Sequence, residues 1–196
     1  MTIIDYGAGN LRSVQNTLAE LGAAYEIASA PEDVAAARKL ILPGVGHFGQ
    51  MLAALDELNL RAAIIERLRA GTPFLGICLG MQALFESSEE APAQKGLALF
   101  DGRVARFPLS ARVPHMGWNE IVPARRSRLL KDLGPRPYLY FAHSYYCPVT
   151  AASAATCEYE VVFAAALEHE NVFGVQFHPE KSGPLGLRIM ANFLEV

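Results

Sequence analysis

Apolar residues recur along the first half of the chain in two alternating rhythms, and the alternation predicts the fold. Residues 2–6 read as a strand. Asn10 stands where a helix cap is expected, ahead of Leu11, Val14, Leu18 and Leu21 on one helical face, with Gly22 at the end. A strand at 25–28 follows, Pro31 opens a short helical turn, and residues 39–42 form a third strand running into Pro43-Gly44-Val45-Gly46. Ile64, Ile65 and Leu68 mark a helical stretch closed by Gly71, before an apolar strand over Phe74–Cys78. Strands alternating with helices predict an α/β fold around a central, mostly parallel sheet flanked by helices. Ligands in such sheets collect at the carboxyl ends of the strands, where both glycine-rich segments, 43–46 and 76–80, are expected to lie.

The rhythm shortens beyond Phe85, which ends a short helical pattern begun at Met81. Residues 86–92 read as a polar loop. From Leu97 onward, short strands broken by proline and glycine are expected at 97–100, 104–107, 118–122, 138–141, 160–163 and 173–177. These should pair as a smaller antiparallel or mixed section, with residues 185–194 behind Pro184 closing the chain as a helix. No repeat or low-complexity linker interrupts residues 1–196, so one domain is expected over that length.

Composition narrows the class. The chain has 196 residues, 52% of them hydrophobic, and a formal charge of −3 with histidine neutral. A domain of this size buries roughly 70% of the surface that its unfolded chain exposes. The acidic balance argues against a nucleic-acid partner, and no apolar run approaches the roughly 20 residues of a membrane span. Met1-Thr2-Ile3-Ile4-Asp5 reads as a first strand rather than a signal peptide. Arginine is frequent between Arg103 and Arg136, either as a solvated surface or as a patch facing a partner or a phosphate. Cysteines occur only at 78, 147 and 157, too few for a disulfide framework and without the paired spacing of a zinc site. No metal, no cofactor and a reducing, cytoplasmic setting are therefore expected.

The chemistry gathers in two strings. Gly76-Ile77-Cys78-Leu79-Gly80 is a G-x-C-x-G, the nucleophile elbow of G-x-S-x-G enzymes with sulfur in place of oxygen. Such a turn strains the nucleophile's backbone, so small residues are needed on both sides. It presents the sulfur at a helix mouth, where an anion is favoured, and the Leu79 N–H would point towards a developing oxyanion. Taken alone, Cys78 also reads as a buried small hydrophobe. Gly174-Val175-Gln176-Phe177-His178-Pro179-Glu180 supplies the complement. A strand delivers His178 to its end, and Pro179 biases that residue towards extended backbone. Residues two apart in an extended segment share a side, so Glu180 can hold one imidazole nitrogen while the other faces the thiol. Taken alone, His-Pro-Glu also fits a strand end with a solvated acid. His47 reads as a helix start or as a chemical group, and His169 as an exposed turn.

Six strings, in order, carry a family resemblance. They are Tyr6-Gly7-Ala8-Gly9-Asn10, Pro43-Gly44-Val45-Gly46-His47-Phe48-Gly49, Gly76-Ile77-Cys78-Leu79-Gly80-Met81-Gln82, Pro114-His115-Met116-Gly117-Trp118-Asn119, Phe141-Ala142-His143-Ser144-Tyr145, and Gly174 onward through His178-Pro179-Glu180-Lys181-Ser182. Together they resemble the class I, triad-type glutamine amidotransferases, and most closely the glutaminase subunits of imidazole glycerol phosphate synthases in histidine biosynthesis. The resemblance implies that Cys78 attacks the carboxamide of glutamine, with His178 as base and acid and Glu180 orienting it. It implies an oxyanion hole from Leu79 N–H and a backbone N–H near Val45, with the Gly44-Val45 peptide reorienting before it donates. Gly44, Gln82, Glu90 and the backbone of Ser144 and Tyr145 are implied to meet the substrate. The implied partner is a cyclase subunit with a (β/α)₈ barrel, met through Asn10, Trp118, Tyr140 and Lys181, to which ammonia passes without entering bulk water. The competing readings are a class I glutaminase of another pathway, such as pyridoxal phosphate synthesis, a stand-alone cysteine hydrolase, and a non-catalytic binding module.

Overall fold

The computed structural model describes residues 1–7 and 10–196, so Ala8 and Gly9 of the first glycine-rich string lie outside the described residues. The first half alternates as its apolar rhythm predicts: β1 (Thr2–Ile4), α1 (Leu11–Glu20), β2 (Glu26–Ala28), α2 (Pro31–Ala36), β3 (Leu40–Gly44), α3 (Phe48–Glu57), α4 (Leu60–Arg69), β4 (Phe74–Cys78) and α5 (Leu79–Gln82). The second half is rich in strands: β5 (Phe85–Ser88), β6 (Phe100–Arg106), β7 (His115–Glu120), β8 (Val122–Pro123), β9 (Tyr138–His143), β10 (Tyr145–Tyr146), β11 (Ser153–Tyr159), β12 (Val161–His169) and β13 (Val172–Val175). A 3₁₀ turn over Pro179–Lys181 and α6 (Gly183–Glu195) end it.

Eight strands form the main sheet, in the order β2-β1-β3-β4-β13-β12-β11-β8. The pairings from β2 to β13 are parallel, and those from β13 to β8 are antiparallel. The expected antiparallel section therefore partly extends the central sheet, and the remainder forms a three-stranded sheet (β10-β6-β5) and the β7-β9 ladder. Strand alternation divides the core. Leu40, Leu42 and Phe74 face a cluster with α3 and α4 residues such as Phe48, Leu52, Ile64 and Leu68. Ile41, Leu75 and Phe173 face the other way, against Val14 and Leu18 of α1 and Ile189 and Phe193 of α6. β3 and β4 are buried along their whole length, which is why both read as continuous apolar runs.

Several boundaries differ from the sequence reading. The single helical stretch before Gly71 is two helices, divided where Asn59 takes a left-handed φ of 57°. The helical pattern at 81–85 ends at Gln82, and Phe85 instead begins β5, a strand inside the segment that reads as a polar loop. β6 merges two expected short strands. β11 has no counterpart in the sequence reading, because Ser153, Ala154 and Ala155 have weak strand preference and become strand through burial. β12 runs on to His169, so that residue ends a strand.

The tightest packing lies at the elbow. Cys78 holds φ 54° and ψ −108°, a backbone state that side-chain-bearing residues rarely adopt. It pairs in register with Gly44 of β3. A Cβ on Gly76 would lie 2.5 Å from the Gly80 carbonyl oxygen, and one on Gly80 would overlap the Leu42 carbonyl oxygen. Backbone on backbone leaves nothing that can rotate away.

A second tether closes the sheet's far half. Glu168 of β12 is buried and accepts from Ser127 Oγ at 2.6 Å, Arg128 N at 3.0 Å and Arg128 Nε at 2.8 Å, while Arg125 donates to its carbonyl. Burial alone would raise its carboxyl's pKa, but the Arg128 and Ser127 bonds outweigh it and hold the group below its ordinary range.

Two stability outcomes follow from this packing. Gly80→Ala is expected to cost at least about 2 kcal/mol by chemical denaturation, since neither backbone can yield. Glu168→Gln is expected to cost about 1–3 kcal/mol at neutral pH, with the solvent-screened share of half-exposed Arg128 placing it towards the lower end. A carboxylate with a depressed folded pKa stabilises above its unfolded value and loses that contribution as pH falls through the folded one. The gap between wild type and Glu168→Gln should therefore be widest near neutrality and close in acid, as read by melting temperature across pH.

Candidate active site

A cavity of about 330 Å³ opens at the carboxyl ends of β3 and β4 and at the chain leaving β13, where an α/β sheet places its ligand. Val45 reaches its wall from the end of β3, and Cys78 and Leu79 from the elbow. Gln82 comes from α5, Ser144 and Tyr145 from the step between β9 and β10, and His178 from beyond β13. Glu90 also lines it. Its Oε2 accepts from the Phe48 N–H at 2.7 Å, the first amide of α3, where a carboxylate meets an unpaired donor and the positive end of the helix. His47 caps the same helix, its Nδ1 accepting from Gly49 N at 3.1 Å, which is the helix-start role among its two readings.

Gly44 is the expected contact that does not reach the wall: it is buried at the end of β3, where an added Cβ would lie 2.5 Å from Gly80 N. It sets the spacing of the two glycine-rich loops from behind.

His178 Nδ1 stands 2.8 Å from Glu180 Oε1, with the two side chains 3% and 2% exposed. The geometry that joins them differs from the extended alternation the sequence predicts. β13 stops at Val175, His178 is extended at φ −103° and ψ 98°, and the 3₁₀ turn beginning at Pro179 folds Glu180 back onto the ring. Cys78 and His178 line the same wall of the cavity, and with Nδ1 held by Glu180 the other ring nitrogen is the one left for the thiol. Burial works against charge on His178, but its bonds to Cys78 and Glu180 outweigh burial and push its pKa up to about 10. Asn10 Nδ2 lies 3.5 Å from Glu180 Oε1, so an expected partner-facing residue also touches the charged pair.

A second pair of imidazoles lies behind the wall. His143 Nδ1 is 2.8 Å from the Tyr145 carbonyl oxygen, and its Nε2 is 3.0 Å from His115 Nδ1. The carbonyl can only accept, so His143 donates from Nδ1 and accepts from His115, whose Nε2 faces the Asn119 amide at 3.3 Å. Burial lowers the pKa of His115 to about 4 and that of His143 to about 3. His178 is thus the imidazole at this cavity that carries charge near neutrality. Sequence reasoning left His115 and His143 without a role and overlooked Gln176, a fully buried amide whose Nε2 lies 3.6 Å from Cys78 Sγ. A lone glutamine in an apolar strand, two residues ahead of His178, was the available signal.

The β7-β9 ladder, whose Met116 and Ala142 line the cavity, carries an exposed aromatic face beyond it. Trp118 and Tyr140 pair across the β7-β9 ladder with ring centres 6.2 Å apart, and Lys181 Nζ sits 5.8 Å from the Tyr140 ring centre. Met116, Trp118 and Tyr138 are more than half exposed on the same ladder, at 63%, 55% and 55%. Among the described residues no helix is long and apolar enough to cross a membrane.

Comparisons with known proteins give the family and the fold. A family model described as glutamine amidotransferase class-I matches residues 2–196. The imidazole glycerol phosphate synthase subunit HisH of Desulfitobacterium hafniense is 47% identical over 193 residues, covering 97% of this chain and 92% of that protein. The subunit of the same name from Methanosarcina acetivorans is 48% identical over 200 residues, covering 100% of this chain and 98% of that one. In fold, the chain is similar to PurLQS from Thermotoga maritima, with a TM-score of 0.76 at 18% identity over 99% of this chain and 96% of that one. The chain belongs to the class-I glutamine amidotransferase family, among the subunit HisH proteins of imidazole glycerol phosphate synthase.

Proposed function

We propose that residues 1–196 form one glutaminase domain that hydrolyses glutamine and hands the ammonia to a cyclase subunit in histidine biosynthesis. The observation that carries this reading is Cys78 and His178 on one wall of a cavity large enough for an amino acid, with Glu180 held against the imidazole from behind. The Cys78 thiolate adds to the carboxamide carbon, and charge moves onto the carbonyl oxygen. Leu79 N–H and a backbone N–H near Val45 would receive that oxyanion, each such donor being worth about 10²–10³ in rate. The C–N bond then breaks as the His178 imidazolium gives its proton to the departing nitrogen, leaving a glutamyl thioester and ammonia. Water yields a proton to the now neutral His178 and attacks the thioester. Collapse expels the thiolate and releases glutamate, and Glu180 keeps the ring oriented through both halves. Gln82, Glu90, Ser144 and Tyr145 line the cavity, and in this reading the two side chains and the Ser144 and Tyr145 backbone would meet the α-amino and α-carboxylate groups of the substrate.

The exposed ladder bearing Met116, Trp118 and Tyr138 suits a docking face, since aromatic residues of this kind anchor interfaces. It adjoins the cavity mouth, so a partner seated on it, through Trp118, Tyr140, Lys181 and Asn10, would seal the path of the ammonia. The partner is read as a (β/α)₈ barrel cyclase, and three unpaired cysteines suit a cytoplasmic setting. The names of the relatives favour this pathway over pyridoxal phosphate synthesis, a stand-alone hydrolase or a binding module.

Cys78→Ala, assayed with the cyclase subunit, is expected to lower glutamine-dependent synthesis by at least about 10³-fold, while synthesis from added ammonium survives. A variant retaining its glutamine-dependent rate would sink the catalytic assignment. The charge on His178 has its own test. A histidine with a raised folded pKa contributes stability that is complete below the ordinary value and lost as pH rises through the folded one, here about 10. Nitrogen-15 NMR of the ring is expected to show both nitrogens protonated at pH 7. In Cys78→Ala, one of the two partners that raise it is gone, and the deprotonation midpoint should fall.

A further inference from the structure

Gln176 contributes to the reacting sulfur itself. Its side chain is fully buried, and its hydrogen bonds leave only one orientation for the amide. The chain of donors starts at the Tyr145 carbonyl oxygen, which can only accept. Gln82 Nε2 donates to that oxygen at 2.9 Å and lies 3.1 Å from Gln176 Oε1, so the Gln82 amide must turn its NH₂ group towards Gln176. Cys147 Sγ lies 3.9 Å from the same Oε1. Burial holds the Cys147 thiol well above its ordinary pKa, so it approaches Oε1 as an S–H donor. Two donors on one side fix the oxygen of Gln176 there, and its NH₂ group is left 3.6 Å from Cys78 Sγ.

We propose that Gln176 is a further catalytic residue, whose side-chain N–H holds the Cys78 sulfur in its ionised form by a direct hydrogen bond. The proposal rests on the glutaminase reading of this site and adds a second donor beside His178. A neutral thiol at this position can donate to the Ala142 carbonyl oxygen, 3.9 Å from Sγ, while its sulfur accepts the amide N–H only weakly. The thiolate is acceptor-only and gains more from the amide, since a charge-assisted bond is roughly twice as strong as a neutral one. The N–H is thus worth most when sulfur carries negative charge, before attack and again when the thioester collapses. It is also present before glutamine binds, held by groups that do not react.

The test is the pH profile of iodoacetamide alkylation at residue 78, read by peptide mapping of the full chain, alongside glutamine turnover in the complex with the cyclase subunit. Gln176→Met keeps the side-chain length and removes the donor. Its alkylation midpoint is expected to rise by about one pH unit, a tenfold loss of thiolate at a pH well below the midpoint. kcat/KM for glutamine should fall about tenfold at neutral pH and recover towards wild type in alkali. Gln176→Glu keeps an acceptor facing Gln82 and Cys147 and puts oxygen where the donor was, so its midpoint should rise at least as far. A purely structural role would lower the rate equally at every pH. That pattern, or a wild-type midpoint in either folded variant, would overturn the proposal. Absence of glutamine hydrolysis by the wild-type complex would instead undo the glutaminase reading, and the alkylation profiles would still decide the role of Gln176.

Discussion

The turn at Cys78 is the constraint around which the rest of the structure is arranged. Its positive φ is disfavoured for a residue with a side chain, and it persists only because its surroundings over-determine it. β3 and β13 grip β4 on either side in parallel register, and α5 follows the turn without an intervening loop. Gly76, Gly80 and Gly44 let these backbones touch: a methyl group on Gly80 or Gly44 would push the elbow away from β3, and one on Gly76 would push α5 off β4. The strained conformation is therefore a product of the sheet's closest packing. It aims the sulfur out of the sheet's end while the rest of β4 stays buried.

Electrostatics around that sulfur are divided between one imidazole kept charged and two kept neutral. His178 has a carboxylate on Nδ1 and shares its cavity wall with the Cys78 thiol, and both partners favour its cation. His143 and His115 are as deeply enclosed but are offered a carbonyl oxygen, an amide and each other, so burial removes their charge. Three histidines near one cavity thus take different protonation states for reasons visible in their partners. The neutral pair also braces the Tyr145 carbonyl, which Gln82 uses to orient its own amide.

Site and outer face share a strand. β9 presents Tyr140 to the exposed ladder and carries Ala142 and His143 to the cavity. The Tyr140 carbonyl accepts the His178 N–H at 2.8 Å, and its own N–H donates to Ser182 Oγ at 3.0 Å. Asn10 provides a second connection through Glu180. A partner pressing on Trp118 and Tyr140 would act on backbone bonded directly to the residue that holds the proton.

The alternating apolar rhythm was enough to establish a parallel sheet, and the G-x-C-x-G and His-Pro-Glu strings marked a candidate nucleophile at the end of one strand and a candidate imidazole near the chain's end, each open to a second reading until six strings were taken together. These are local signals, written in residue type and spacing, and periodicity reports them faithfully. Other features were decided by packing between distant segments. β11 is a strand because its small residues are enclosed, and Phe85 leaves its helical pattern because β6 offers it a partner. Glu180 reaches His178 through a 3₁₀ turn, where extended alternation would also have brought them to one side. The orientation of the Gln176 amide depends on a carbonyl at 145, an amide at 82 and a thiol at 147. No pattern of neighbours in sequence contains that information, because hydrogen-bond direction belongs to the assembled interior.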